Sequence, residues 1–238
     1  MSRRWRRLKN WPGDRLPIGT IFRLPMADYQ SHESPLDLML VKHLKYEHEL
    51  WWMVVSGYKA GLTLLGGVPS GCIADDGPVK FIWTRVAYKE WRRRVYPSPR
   101  DELRVNVGGY PPGMIWPTTR NVLLWHRLDR SADARIDRGS VLRARNCAVV
   151  GFEPTVDLML MENNDSPSRY SLLVTTGRRV GHVLCDLPQE ALFPGLTYAM
   201  SAHWLARHWR QAVIDSPPEA VRVIGGYPPG VRIDRVKP

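Results

Sequence analysis

The hexamer Gly108-Gly109-Tyr110-Pro111-Pro112-Gly113 returns letter for letter as Gly225-Gly226-Tyr227-Pro228-Pro229-Gly230. Six such letters do not recur by chance in a chain of 238 residues. Further matches lie upstream of both copies. Gly19-Thr20-Ile21-Phe22-Arg23 aligns with Gly139-Ser140-Val141-Leu142-Arg143, and Asp37-Leu38-Met39-Leu40 with Asp157-Leu158-Met159-Leu160. Ser56-Gly57 and Gly61 fall on Thr176-Gly177 and Gly181, all at an offset of 120 residues. Trp91-Arg92 and Ser98-Pro99 match Trp209-Arg210 and Ser216-Pro217 at an offset of 118. A period of this length is too long for a solenoid and equals a small domain, so the chain reads as one module copied in tandem. The divisions it implies are a basic extension over 1–15, a first unit over 16–115, a link over 116–134 and a second unit over 135–238.

Each unit opens on a β-branched strand, residues 18–24 and 138–144, followed by a second strand over Leu36–Val41 or Val156–Met161. In the third strand, Leu50, Trp52 and Val54 face Tyr170, Leu172 and Val174, all large and apolar, which predicts the core face. The alternate set, Trp51, Met53 and Val55, faces Ser171, Leu173 and Thr175, and a serine opposite Trp51 predicts a partly exposed indole. The glycines of 57–61 and 177–181 predict a tight hairpin leading to a fourth strand at 61–66 and 181–186. A helix follows at about 82–95 and 199–213, with Ala87/Leu205, Trp91/Trp209 and Val95/Val213 spaced to face inward. Prolines 97, 99, 217 and 218 stop it, and a short strand, Leu103–Val107 or Val221–Ile224, runs into the hexamer. The predicted class is α+β, two tandem pseudo-repeated units, each a small mainly antiparallel sheet covered by one helix.

No apolar run approaches the ~20 residues that a membrane-spanning helix needs, and the basic start lacks the apolar stretch of a secretory signal, so a cytoplasmic location is expected. Cys72, Cys147 and Cys185 are odd in number and scattered, which argues against a disulfide framework or a zinc ribbon. Seven histidines assemble into no ligand set, since His43/His48 and His203/His208 are each five apart, and no metal or cofactor site is expected. No nucleophile elbow, phosphate loop or zinc-protease motif is present, which leaves no catalytic residue to nominate. Asp37 and Asp157 read as turn or capping acceptors at strand starts. A formal charge of +11 admits nucleic acid as a partner, but 34 basic residues are dispersed among 23 acidic ones, dense only over 3–9 and Arg92–Arg94.

The hexamer carries two readings. Its rigid diproline could present Tyr110 and Tyr227 to a partner, or it could be a closing turn whose tyrosine packs on the neighbouring unit. A closing turn fits better, because a recognition loop kept identical in both halves would demand the same partner surface twice. Trp51 and Trp83, facing Ser171 and the helix-entry His203, are the tryptophans that the core does not claim, and with nearby arginines they have the composition of interface hot spots.

The runs Leu16-Pro17-Ile18-Gly19-Thr20-Ile21-Phe22-Arg23, Leu36-Asp37-Leu38-Met39-Leu40-Val41 and Val54-Val55-Ser56-Gly57-Tyr58-Lys59-Ala60-Gly61, with Trp91-Arg92 and Val95-Tyr96, resemble a bacterial polymorphic-toxin immunity family, immunity-protein-forty-five. The first unit carries the fuller resemblance, and the second keeps Gly139, Arg143, Asp157, Gly177, Gly181 and Trp209. The resemblance implies a small non-enzymatic α+β protein, encoded beside a secreted toxin, that binds the cognate toxin domain and blocks it. The partner-binding residues expected are Trp51, Tyr58, Lys59, Trp83, Arg92, Arg93 and Arg94. The alternative is a cytosolic nucleic-acid-binding protein using the basic segment 3–9 and the arginine-bearing helix.

Overall fold

A computed structural model of the chain describes residues 5–24, 35–42, 50–64, 68, 73–76, 79–94, 104–114, 126–130, 135–147, 153–212 and 217–228. The first half contains β1 (Arg6–Arg7), β2 (Arg15–Pro17), β3 (Ile21–Leu24), β4 (Leu36–Lys42), β5 (Leu50–Val54), β6 (Thr63–Leu64), β7 (Ile73–Asp76), β8 (Val79–Trp83), α1 (Thr84–Arg94) and β9 (Arg104–Asn106). The second contains β10 (His126–Arg127), β11 (Arg135–Asp137), β12 (Val141–Cys147), β13 (Glu153–Glu162), β14 (Tyr170–Val174), β15 (Val183–Asp186), β16 (Ala199–Ser201), α2 (Ala202–Ala212) and β17 (Arg222–Ile224). The protein is α+β and dominated by antiparallel sheet.

Two six-stranded sheets have the orders β1-β9-β3-β4-β5-β6 and β10-β17-β12-β13-β14-β15, so strand by strand the second repeats the order of the first. In both, the alternation of side chains decides which core a residue joins. Leu36, Leu38 and Leu40 of β4, with Leu50, Trp52 and Val54 of β5, turn to one side and meet Leu8, Leu16, Ile82 and Ala87. Leu158, Leu160, Tyr170, Leu172 and Val174 do the same against Ile136, Met200, Leu205 and Trp209. That is the core face predicted for the third strand.

The opposite face departs from the sequence reading. Met39, Val41, Met53 and Val55 of the first half share one core with Val141, Met159, Met161 and Leu173 of the second. Ser171 and Thr175, expected on a lesser face, are fully buried as well. The two sheets therefore stack face to face, each buried on both sides, and neither extends the other into one sheet. Five methionines, 39, 53, 114, 159 and 161, lie in this shared layer, where flexible thioethers can fill an irregular gap between twisted sheets.

Two smaller sheets were also unforeseen. β2 pairs with β8 and β8 with β7, while β11 pairs with β16. The last residues before each helix are thereby extended, so the helices begin at Thr84 and Ala202 rather than at 82 and 199. Residues 6–8 join the fold in a related way. Arg6–Arg7 join β9 at the sheet edge and Leu8 is buried, as His126–Arg127 join β17 and Leu128 is buried in the second half. An offset of 120 carries Trp5-Arg6-Arg7-Leu8 onto Trp125-His126-Arg127-Leu128, a match concealed by the arginine-rich composition. In α2, Leu205 and Trp209 face the core as predicted. Ala87 does so in α1, whereas the side chain of Trp91, with Val95 and Val213, lies outside the described residues.

Candidate functional site

The repeated hexamer closes the molecule at the layer between the sheets. Tyr110 and Tyr227 are buried with ring centres 4.2 Å apart. Each reaches across by its backbone, Tyr110 bridging to Thr176 and Tyr227 to Ser56. Each phenol then turns back to its own half. The Tyr110 hydroxyl donates to Asp37 at 2.7 Å, and the Tyr227 hydroxyl to Asp157 at 3.2 Å, with Thr175 Oγ1 at 2.6 Å.

Asp37 and Asp157 are 0% exposed, and they are not the turn acceptors that sequence suggested. Arg23 clamps Asp37 through Nε and Nη2, both at 2.7 Å, and Arg143 clamps Asp157 at 2.7 and 2.8 Å. The pairs sit opposite one another in antiparallel register, Arg23 with Asp37 and Arg143 with Asp157. Arg23 lies 4.0 Å from the Trp5 ring centre, and Arg143 also donates to the Met114 carbonyl at 2.9 Å. Burial pushes the Asp157 carboxyl above the ordinary carboxylate value against the opposing pull of Arg143 and Tyr227. Burial and the adjacent carboxylates push both phenols well above the usual tyrosine value, so they remain hydrogen-bond donors. This constellation is sealed and internally satisfied, and it holds the two halves in register. All six residues lie in motifs that recur along the chain, Arg23/Arg143 and Asp37/Asp157 at an offset of 120 and Tyr110/Tyr227 at 117, and the charge complement across neighbouring strands was the available signal.

The side chains expected to bind a partner lie in separate places. Tyr58, on the loop between β5 and β6, is 80% exposed, and Lys59 beside it is half-buried. Trp51 is half-buried against the layer between the sheets. Trp83 ends β8 on the small three-stranded sheet, at 5.3 Å edge to face with Phe81. Its register partner is Arg15, as that of Arg135 is Ser201, so the counterpart of Trp83 is Ser201 and not His203. Ser201 Oγ accepts the Trp204 amide and opens α2. Arg92–Arg94 belong to α1, with side chains outside the described residues.

A cationic corner forms where the halves meet at Lys42 and His182, joined by a backbone bridge. Burial, with Lys42 and Arg179 nearby, lowers the His182 pKa. At the matching corner Glu162 is 3.3 Å from Arg138 and 3.5 Å from Arg169. Cys185 is free, and burial with the nearby Asp186 charge pushes its thiol up to about 12, which leaves it unreactive at neutral pH. Among the described residues no group of three or more His, Cys, Asp or Glu side chains could hold a metal, and no helix is long and apolar enough to cross a membrane.

No curated protein and no solved structure matches the chain. A family model, described as Immunity protein 45, matches residues 129–222. The matched stretch lies in the second half, whereas the motif resemblance had given the first half the fuller likeness. It runs from the turn after β10 through the buried Arg143–Asp157 pair and the Trp209 helix to the start of β17. Residues 129–222 are thus similar to the immunity-protein family that the repeated motifs of the chain resemble.

Proposed function

We propose that this protein is an immunity protein, one that binds the toxic domain of a secreted protein encoded beside it and blocks that domain by occlusion in the cytoplasm of the producing cell. The observation that carries this reading is the Immunity protein 45 match over residues 129–222. It acts by binding rather than by catalysis, in keeping with a repeated Arg-Asp-Tyr cluster that is sealed from solvent. The two halves descend from one module, residues 16–115 and 135–238, each an antiparallel sheet with its own helix. Support comes from the shared strand order and from hexamers that make reciprocal bridges across the inter-sheet layer. Trp51, Tyr58, Lys59, Trp83 and Arg92–Arg94 supply contacts from the first half.

A net charge of +11 directs the protein toward an acidic or mixed surface on the toxin. The test is to express the neighbouring toxin domain with and without this chain, then to measure the Kd of the complex across salt. Rescue of growth and an affinity that weakens with salt are expected. Binding that ignores salt removes the electrostatic part of the proposal. A chain that fails to rescue growth, yet binds a DNA duplex with a steep salt dependence, overturns it altogether.

A further inference from the structure

The two corners where the halves meet share one backbone plan and differ in their charged side chains. At the first, the Lys42 amide donates to the Gly181 carbonyl at 2.8 Å, and at the second the Glu162 amide donates to the Gly61 carbonyl at 2.8 Å. An offset of 120 residues relates the two contacts and carries Lys42 onto Glu162, Lys59 onto Arg179 and Leu62 onto His182. The backbone contact is kept while the side chains around it change.

The second corner supplies its own anion, a half-buried Glu162 held by Arg138 at 3.3 Å and Arg169 at 3.5 Å. The first corner brings cations together instead. Lys42 and His182 stand opposite one another in their bridge, so their side chains leave the same side of the strand pair. The turn closed by the His182 amide on the Arg179 carbonyl, at 3.1 Å, brings Arg179 to the same corner. Lys42 and His182 are half-buried and Arg179 is exposed. Among the described residues no carboxylate forms an ion pair with any of the three. Burial, and then the charges of Lys42 and Arg179, lower the His182 pKa, so at neutral pH its imidazole is uncharged and one ring N–H donates. Partly desolvating two like charges without a counter-charge is unfavourable, and the architecture does not demand it, since glutamate and leucine close the matching corner.

We infer that Lys42, Arg179 and His182 form a binding site for one oxyanion, a carboxylate or a phosphate group, which does for the first corner what Glu162 does for the second. Lys42 belongs to the first half and the other two to the second, so the anion joins the halves across their seam. An ammonium, a guanidinium and a neutral imidazole offer donors to several oxygens of one group, and a partly buried setting makes each bond stronger than in open water. Exposure of Arg179 leaves the corner accessible. The site is independent of the toxin-binding role proposed above.

The experiment melts the full chain at neutral pH in sodium chloride, inorganic phosphate and acetate, all at one ionic strength. An anion that binds only the folded chain should raise the melting temperature by roughly 5–10 °C at about a hundred times its Kd, along a curve that follows binding. General exclusion of phosphate from protein surface gives a rise without saturation. Arg179→Gln, at an exposed position, should fold as wild type and lose most of the saturable rise. Lys42→Glu installs the residue of the matching corner, so it should melt above wild type in chloride and respond to neither anion. Arg207→Gln, exposed on α2, should respond as wild type. A saturable rise in both anions assigns the site to oxyanions in general, and a rise in one alone assigns it to phosphate or to carboxylate groups. The absence of a saturable rise in either overturns the site. So does a rise that Arg179→Gln or a folded Lys42→Glu retains, or one that Arg207→Gln loses. If Lys42→Glu fails to fold, Arg179→Gln with its Arg207→Gln control carries the test.

Discussion

Tyr110 and Tyr227 illustrate how a side chain chosen for closure becomes a condition on stability. Both phenols are buried against a carboxylate that is already engaged by an arginine, and ionising either would place a second anion beside the first. Their folded pKa values are raised above the ordinary value of 10.0. Below pH ~10 the folded and unfolded chains both keep these protons, and the stability they confer is complete. As pH rises past that point the unfolded chain releases protons that the folded chain retains, so stability falls by up to about 1.4 kcal/mol per pH unit for each phenol. Urea melts between pH 9 and 11, taken as ~1 unit either side of the free phenol, should show this slope, and Tyr110→Phe with Tyr227→Phe should flatten it. An unchanged slope in the double variant would place the alkaline sensitivity elsewhere. The ion pairs behind these phenols make a smaller net contribution than their geometry suggests, because desolvating both charges offsets most of their attraction. Their value lies in direction, since only one register of β3 on β4 and of β12 on β13 lets each arginine meet its aspartate.

At the scale of elements, the two hairpin loops are what lock one sheet over the other. Gly181 leaves no room for a side chain: its φ is +82°, and a Cβ there would stand 2.4 Å from the Gly19 nitrogen and 2.7 Å from the Leu40 carbonyl. Val180 beside it fills the space over Gly19 and Gly109, either of whose Cβ would approach a Val180 methyl to 2.3 Å. This contact accounts for the second glycine of the first hexamer. Gly113 has a similar φ of +70°, with nothing within 4 Å of the point a Cβ would occupy, so it isolates the cost of backbone strain. Gly113→Ala should cost on the order of 1 kcal/mol, whereas Gly181→Ala, which must also part the sheets, should cost ~3 kcal/mol or more. Chemical denaturation of both variants checks the contrast, and equal losses would mean that the loop yields without disturbing the layer. The small sheets belong to the same scale. They were hidden in the sequence because strands of three to five residues carry too little alternation, and β8 and β16, running straight into a helix, are hard to distinguish from its first turn.

Among the described residues the molecule has three cores, of which the middle one draws on both halves. Removing one half would expose Met159, Met161, Leu173 and Val183, or Met39, Val41 and Met53, to water. The halves are therefore expected to unfold together, although the chain is long enough for two independent domains. Scanning calorimetry should give one transition whose van 't Hoff and calorimetric enthalpies agree. Two resolved transitions would show that each half stands without the other.

Local rules acting on the sequence determined the strands from β3 to β6 and β12 to β15, the inward placing of Ala87, Leu205 and Trp209, the glycine loops and the immunity-family resemblance, because each depends on alternation, helical period or turn chemistry within a few residues. Tertiary structure alone decided that the second face of each main sheet is also core, that Asp37 and Asp157 are buried ion-pair partners, and that Trp51 and Trp83 lie on different layers. Those outcomes depend on which surface meets which between segments distant in the chain. A pattern of apolar residues specifies that a face must be covered, but the identity of its cover is settled only when the sheets stack.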